Sequence, residues 1–287
     1  MKRKKKKLSV FSVLNYGFFV ILGVIMLYPF WYVVMYSFSD PSKTSLSSLY
    51  LIPNGFSLET YRYAFKKEIL LTGFLNSVFL AVVGTALDMV FSVLLAYPLS
   101  RENFPGKKFI HGYVIFPMLF SGGMIPTYLV IKNLGLLNSL WSLIGVSLVN
   151  VYNMLILCRF FKGIPQSLIE SARIDGCNEF GILTKIVLPL SKAVLATISL
   201  FYAVQHWNGF LEATIYINND NKKPLQVVLR DIIQMVAADL SGGDSLFMNP
   251  ENFKMATIVI TVLPIICVYP FLQKHFTQGV MLGAVKG

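Results

Sequence analysis

Asp88 is the one ionisable residue inside an otherwise charge-free apolar run from 69 to 100. A carboxylate at that depth either faces a wet cavity, where it serves function, or hydrogen-bonds to a neighbouring helix, and both readings stay open. Further along, Gln205, Asn208 and Glu212 recur at helical spacing with Tyr202, His206 and Trp207 close by. Such a polar stripe must avoid lipid. It lines a path for a hydroxyl-rich solute, with Trp207 as an aromatic face, or it packs against another membrane subunit. Catalytic chemistry is harder to find. Gly106-Lys107-Lys108 lacks the upstream glycine and the hydroxyl residue that a phosphate loop needs, so ATP must be hydrolysed elsewhere. Cys158, Cys177 and Cys267 have no paired spacing, and His111, His206 and His275 are scattered, so no metal-ligand set is expected. A membrane enzyme would need a nucleophile, a metal cluster or a carboxylate pair at one depth, and none appears.

The elements that must hold these residues follow from composition. Of 287 residues, 55% are hydrophobic and only 14% charged, with mean hydropathy +0.63, far from the soluble average. A bilayer core takes about 20 apolar residues as helix. Runs free of Asp, Glu, Lys and Arg cover 8–39, 69–100 apart from Asp88, 109–131, 133–158, 193–211 and 255–273. They predict an all-α, polytopic membrane protein in a single domain, 1–287, with spans near 12–37, 72–98, 109–131, 138–160, 193–216 and 255–273. The first run is too long for a signal-peptide core and has no alanine for a cleavage site, so it reads as a retained helix.

Every Lys and Arg lies outside those runs, as expected when a charge at a helix centre costs at least ~2.5 kcal/mol. With the amino terminus inside, sixteen of the 25 fall on inner segments and nine on outer ones. The bias places both termini in the cytoplasm. The run Lys2 to Lys7 then reads as an orientation signal touching anionic lipid rather than a nucleic-acid patch.

Three connections stand out by length: 40–68 and 218–254 outside, and 163–189 inside. The inner one reads as helix, glycine, helix. Pro165 suits a helix start, Leu168 and Ala172 share a face, and Gly176 can end the helix in a left-handed conformation. Asn178 can cap a second helix in which Phe180, Leu183 and Val187 recur, and Pro189 stops it. With Pro224, Gly242, Gly243 and Pro250 and mixed charge, the outer stretch 218–254 suits contact with a soluble partner.

From Glu170 the inner unit reads E-S-A-R-I-D-G, then nine residues, then I-V-L-P. It resembles the EAA loop of ABC importer permeases, with Glu170, Ala172, Gly176, Ile186, Leu188 and Pro189 in register and Ser171 replacing an alanine. The stretches 122–129 and 134–139, His206-Trp207-Asn208, 224–230 and the ending 283–287 are similar to the maltose-type carbohydrate permeases, nearest the LplC-like branch associated with complex oligosaccharides.

That resemblance implies the type I importer fold and a bacterial cytoplasmic-membrane location. It implies a second, homologous permease subunit, two ATP-binding subunits that hold ATP and magnesium, and an extracytoplasmic solute-binding protein facing 218–254. This chain itself would bind no cofactor. Glu170, Ser171, Ala172, Asp175, Gly176, Ile186, Leu188 and Pro189 would form the ATPase contact, with Ala172 allowing close approach, and Gln278, Gly279 and Lys286 of the tail would reach the same subunit. The sugar path would involve Asp88, Tyr202, Gln205, Trp207, Asn208 and Glu212. Two rivals remain: the same architecture importing a non-sugar solute, and an ion-coupled secondary transporter using Asp88 or His206.

Overall fold

The computed structural model describes the backbone of residues 10–45, 49–242 and 249–284, with side chains for 11–45, 49–235 and 249–267. Among the described residues the chain is helical, and extended backbone pairs only in one isolated bridge between Ser39 and Phe56. The helices are α1 Val10–Ser37, α2 Glu59–Lys66, α3 Glu68–Ser100, α4 Lys107–Leu119, α5 Met124–Asn133, α6 Leu140–Ser147 and α7 Val151–Lys162. They continue with α8 Gln166–Ile174, α9 Glu179–Leu190, α10 Lys192–Asn208, α11 Leu211–Tyr216, α12 Leu225–Gly242 and α13 Pro250–Ala284.

Three described helices are long and apolar enough to cross a bilayer unaided: Phe11–Ser37 within α1, Glu68–Ser100, and Pro250–Cys267 within α13. Three helix pairs, α4–α5, α6–α7 and α9–α10, pass together but bend by 114°, 49° and 85°. Counting each pair as one span gives up to six by length and composition, and in the third pair the apolar stretch is α10, since α9 carries Glu179 and Lys185. The expected straight span 109–131 is thus two helices, because Gly123 turns the chain at φ +87. The span expected over 193–216 also breaks. Its helix stops at Asn208, Gly209 is extended, and a short helix restarts at Leu211. The outer stretch 218–254 is not mere connection, since α12 occupies 225–242.

The bend between α9 and α10 has a local cause. Pro189 has no N–H to donate to the Lys185 carbonyl, the turn before it opens into a π-helical segment at Leu183–Val187, and Ser191 leaves the helical conformation. A second π segment, Leu80–Gly84, lies inside α3.

The chain forms two compact units, Met1–Lys67 with Asp231–Val262, and Glu68–Arg230 with Leu263–Gly287. In the first, α1 shows apolar side chains all round, as a lipid-bathed helix does. Its end is tied by Asn252, which is fully buried and fully used: Nδ2 donates to the carbonyls of Tyr36 and Ser39, and Oδ1 accepts from Thr44. In the second, α3 packs along α7 and α10 around Val93, Ala96, Leu99, Met154, Leu157 and Ile198. Leu71, Leu75, Val82, Val90 and Leu94 on the other side of α3 stay exposed. In lipid this packing relies on shape rather than on the hydrophobic effect. At Gly73, for example, a Cβ would sit 3.0 Å from Val228.

Candidate functional site

The helix–glycine–helix unit at 163–189 forms as its sequence suggests, with details that alter residue roles. Pro165 precedes the first helical residue, at φ −54 and ψ 127. Helix α8 ends in a Schellman turn. Cys177 N–H donates to the Ala172 carbonyl at 2.9 Å, Gly176 N–H donates to Arg173 at 3.0 Å, and Gly176 takes φ +81. Asn178 then caps α9 by accepting from Gly181 N–H at 2.7 Å, a bond that such caps put at about 0.5–2 kcal/mol.

The inward face of α8 is Ile169 and Ala172, at 0% and 6% exposure. Leu168, expected to share that face with Ala172, points out. Ala172 therefore packs into the chain's own core. Ile182, Leu183 and Val187 bury the inner side of α9, while Phe180, expected on the same face, is 68% exposed. One position of helical phase, about 100°, separates Leu168 from the buried Ile169, and two positions separate Phe180 from the buried Ile182. Glu170, Ser171, Asp175, Gly176 and Pro189 are exposed, and Ile186 and Leu188 are half-buried. With Ile174 and Phe180 they leave a surface of charge and exposed apolar side chains.

The residue that fixes this unit to the membrane helices was not legible as such. Glu179 accepts from the Tyr97 hydroxyl at 2.7 Å on Oε2, and from Arg173 Nη2 at 2.6 Å and Nε at 3.1 Å on Oε1. The Arg101 guanidinium lies over the Tyr97 ring, 4.5 Å from its centre. The Tyr97 hydrogen bond, then Arg173, holds the Glu179 carboxyl below its ordinary range. The available signal was faint: an acid directly after a capping asparagine, six residues past an arginine.

Tyr97 lies near one end of α3, and Asp88 lies nine residues back along the same helix. Asp88 is fully buried, and its Oδ2 is 2.7 Å from Nε2 of His206 on α10. The π segment makes room for that ring. Gly84 is so close that a Cβ there would stand 2.5 Å from His206 Nε2. One turn along, Tyr202 is also buried, its hydroxyl 2.6 Å from Ser92 Oγ and accepting from Asn150 N–H at 3.1 Å. Trp207 is buried against Phe74, edge to face. Asp88, Tyr202 and Trp207 thus hold helices together rather than present themselves to a solute.

Gln205, Asn208 and Glu212 behave differently. All three are exposed and line a cavity of about 370 Å³ with Ser147, Phe210 and one side of His206. Glu212 reaches it across the Gly209 break rather than as the next step of one helical stripe. The volume falls within the roughly 300–1,000 Å³ of small-molecule sites. Gln278 and Gly279 fall on α13 beyond its described side chains, and Lys286 lies outside the described residues.

Residues 88–282 match the family model described as "Binding-protein-dependent transport system inner membrane component". The chain is 48% identical over 285 residues to the polygalacturonan/rhamnogalacturonan transport system permease protein YtcP of Bacillus subtilis, covering 98% of this chain and 100% of that one. It is 45% identical over 281 residues to Protein LplC of the same organism, covering 97% and 95%. Among solved structures it is similar to a bacterial ABC transporter involved in the import of the acidic polysaccharide alginate, with TM-score 0.86 and 30% identity over 96% of this chain and 100% of that one. The family model spans more than half of the sequence and the relative matches it nearly end to end, so the chain belongs to the family of inner membrane components of binding-protein-dependent transport systems.

Proposed function

We propose that this chain is the permease subunit of an ATP-binding-cassette importer that carries an oligosaccharide across the cytoplasmic membrane. A second, homologous permease completes the path. Two separate subunits bind and hydrolyse ATP with magnesium, and an extracytoplasmic protein delivers the sugar. Both termini lie in the cytoplasm, as the excess of Lys and Arg on those segments favours. Saccharide cargo is supported by the relative named for polygalacturonan and rhamnogalacturonan and by the alginate importer. It is supported also by the cavity, whose amide, hydroxyl and carboxylate groups suit sugar hydroxyls.

One observation carries the mechanism: a single helix, α3, is gripped at one end by the elbow and in its middle by the helix that walls the cavity. Tyr97 holds Glu179 of the elbow, and Asp88 holds His206, whose neighbours Gln205 and Asn208 line the cavity. Motion imposed on α8 and α9 by an ATPase then reaches the cavity through α3 as a rigid rod. The exposed face of the elbow, with Glu170, Asp175, Ile174 and Phe180, is the docking surface. Ala172 supports it from beneath.

The test is crosslinking in the assembled importer. A cysteine at Ile174, in a Cys177→Ser background, should crosslink to an ATPase subunit with a yield that changes on ATP binding, whereas one at Ala172 should not. Reaction of the Ile174 position only with lipid or with reagents outside the cell would refute both docking and topology.

A further inference from the structure

Beside the cavity, and not among the residues that line it, Arg230 of α12 rests its guanidinium on Phe210, 4.7 Å from the ring centre. We propose that Arg230, seated on this ring, is a carboxylate-reading subsite, so that the imported oligosaccharide carries acidic sugar units. The inference rests on the oligosaccharide reading above and deepens it by fixing the charge of the cargo.

Three features of the site support it. Arg230 is exposed and makes no ion pair or hydrogen bond among the described residues, so its donors are unspent. A guanidinium held over an aromatic ring loses less side-chain freedom on binding, and its planar set of donors suits a carboxylate. Phe210 itself walls the cavity, so the ring that holds the cation is shared with the cavity wall. Other cations nearby are already occupied: Lys222 donates to the Asn138 carbonyl and Lys223 pairs with Asp220.

Glu212 gives the site direction. It is the acid that lines the cavity, and it would repel a second carboxylate placed against it while accepting from sugar hydroxyls. An acidic sugar therefore seats with its carboxylate toward Arg230 and its hydroxyls toward Glu212, Asn208 and Gln205. A neutral sugar gains nothing from Arg230.

The complete importer, reconstituted in vesicles with its ATPases and binding protein, tests this with trigalacturonate and with a neutral trihexose. Arg230→Gln should slow trigalacturonate uptake about tenfold, the loss of one charge-assisted contact. Arg230→Lys should recover part of the rate, and ATP hydrolysis without sugar should stay at the wild-type level as evidence of intact assembly. Equal trigalacturonate uptake by wild type and Arg230→Gln would overturn the subsite. Uptake by the wild type of the neutral sugar alone would overturn the acidic cargo while leaving an oligosaccharide importer. Uptake of neither, with ATP hydrolysis intact, would overturn the oligosaccharide reading itself.

Discussion

Asp88 Oδ2 and His206 Nε2 stand 2.7 Å apart, both side chains almost wholly removed from solvent, and Gly84 is the glycine that lets them meet. Removing one partner strands a buried polar group, which costs about 1–3 kcal/mol. His206→Ala should therefore sharply lower the thermal stability of the purified protein. Gly84→Ala should also destabilise, since its new methyl group would meet the ring. Once the ring is gone the methyl group has room, so the double variant should be little worse than His206→Ala. Melting temperatures that add would show that Gly84 and His206 are not in contact.

Gly176 presents a different constraint. A Cβ there would meet nothing within 4 Å, so the only obstacle is the backbone at φ +81. A left-handed conformation costs an ordinary residue roughly 1–2 kcal/mol, and asparagine tolerates it better. Gly176→Val should thus abolish uptake while leaving membrane insertion intact, and Gly176→Asn should retain most of it. Equal loss in both would point to the side chain itself obstructing a docked partner rather than to the Schellman turn.

Patterns that arise from one short stretch of chain could be read from the sequence, and those set by contacts distant in sequence could not. The six apolar spans, the turn at Gly176 and the cap at Asn178 each depend on neighbours within a few residues. The bends at Gly123 and Gly209 are not legible, because a glycine in an apolar run looks the same whether the helix continues or stops. Tyr202 and Trp207 looked like solute-facing groups because polar and aromatic side chains on one helix share a period. Their burial is decided by Ser92, Asn150 and Phe74, which are 110, 52 and 133 positions away. Glu212 was assigned to the path on a helical stripe that the break at Gly209 interrupts, and it reaches the cavity by another route.

If α3 transmits motion, the contact between Tyr97 and Glu179 is needed for coupling and not for hydrolysis. Tyr97→Phe deletes one hydrogen bond and keeps the ring under Arg101. The importer carrying it should assemble and hydrolyse ATP when the loaded binding protein is added, but import less sugar per ATP, by a factor of about 3–10 for one partly exposed hydrogen bond of roughly 1 kcal/mol. An unchanged ratio of sugar to ATP would exclude α3 as the rod. Loss of hydrolysis together with uptake would instead place Tyr97 in the assembly of the ATPase contact.

The same cluster sets a pH dependence whose sign follows from Glu179. Its carboxyl is held below its ordinary value of 4.5, first by the Tyr97 hydrogen bond and then by Arg173. A group with a depressed folded-state value stabilises the fold fully above its ordinary value and loses that contribution as pH falls through the depressed one. The stability difference between wild type and Glu179→Gln should therefore be constant from pH 8 to about pH 5 and shrink as pH falls below the ordinary carboxylate range through the depressed value. Because Glu179 and Arg173 are each about half exposed, screening keeps the effect small, on the order of 1–3 °C in melting temperature. A difference that grew as pH fell would mean that the carboxylate is strained in the fold, and the grip of Tyr97 on the elbow would then have to come from the ring alone.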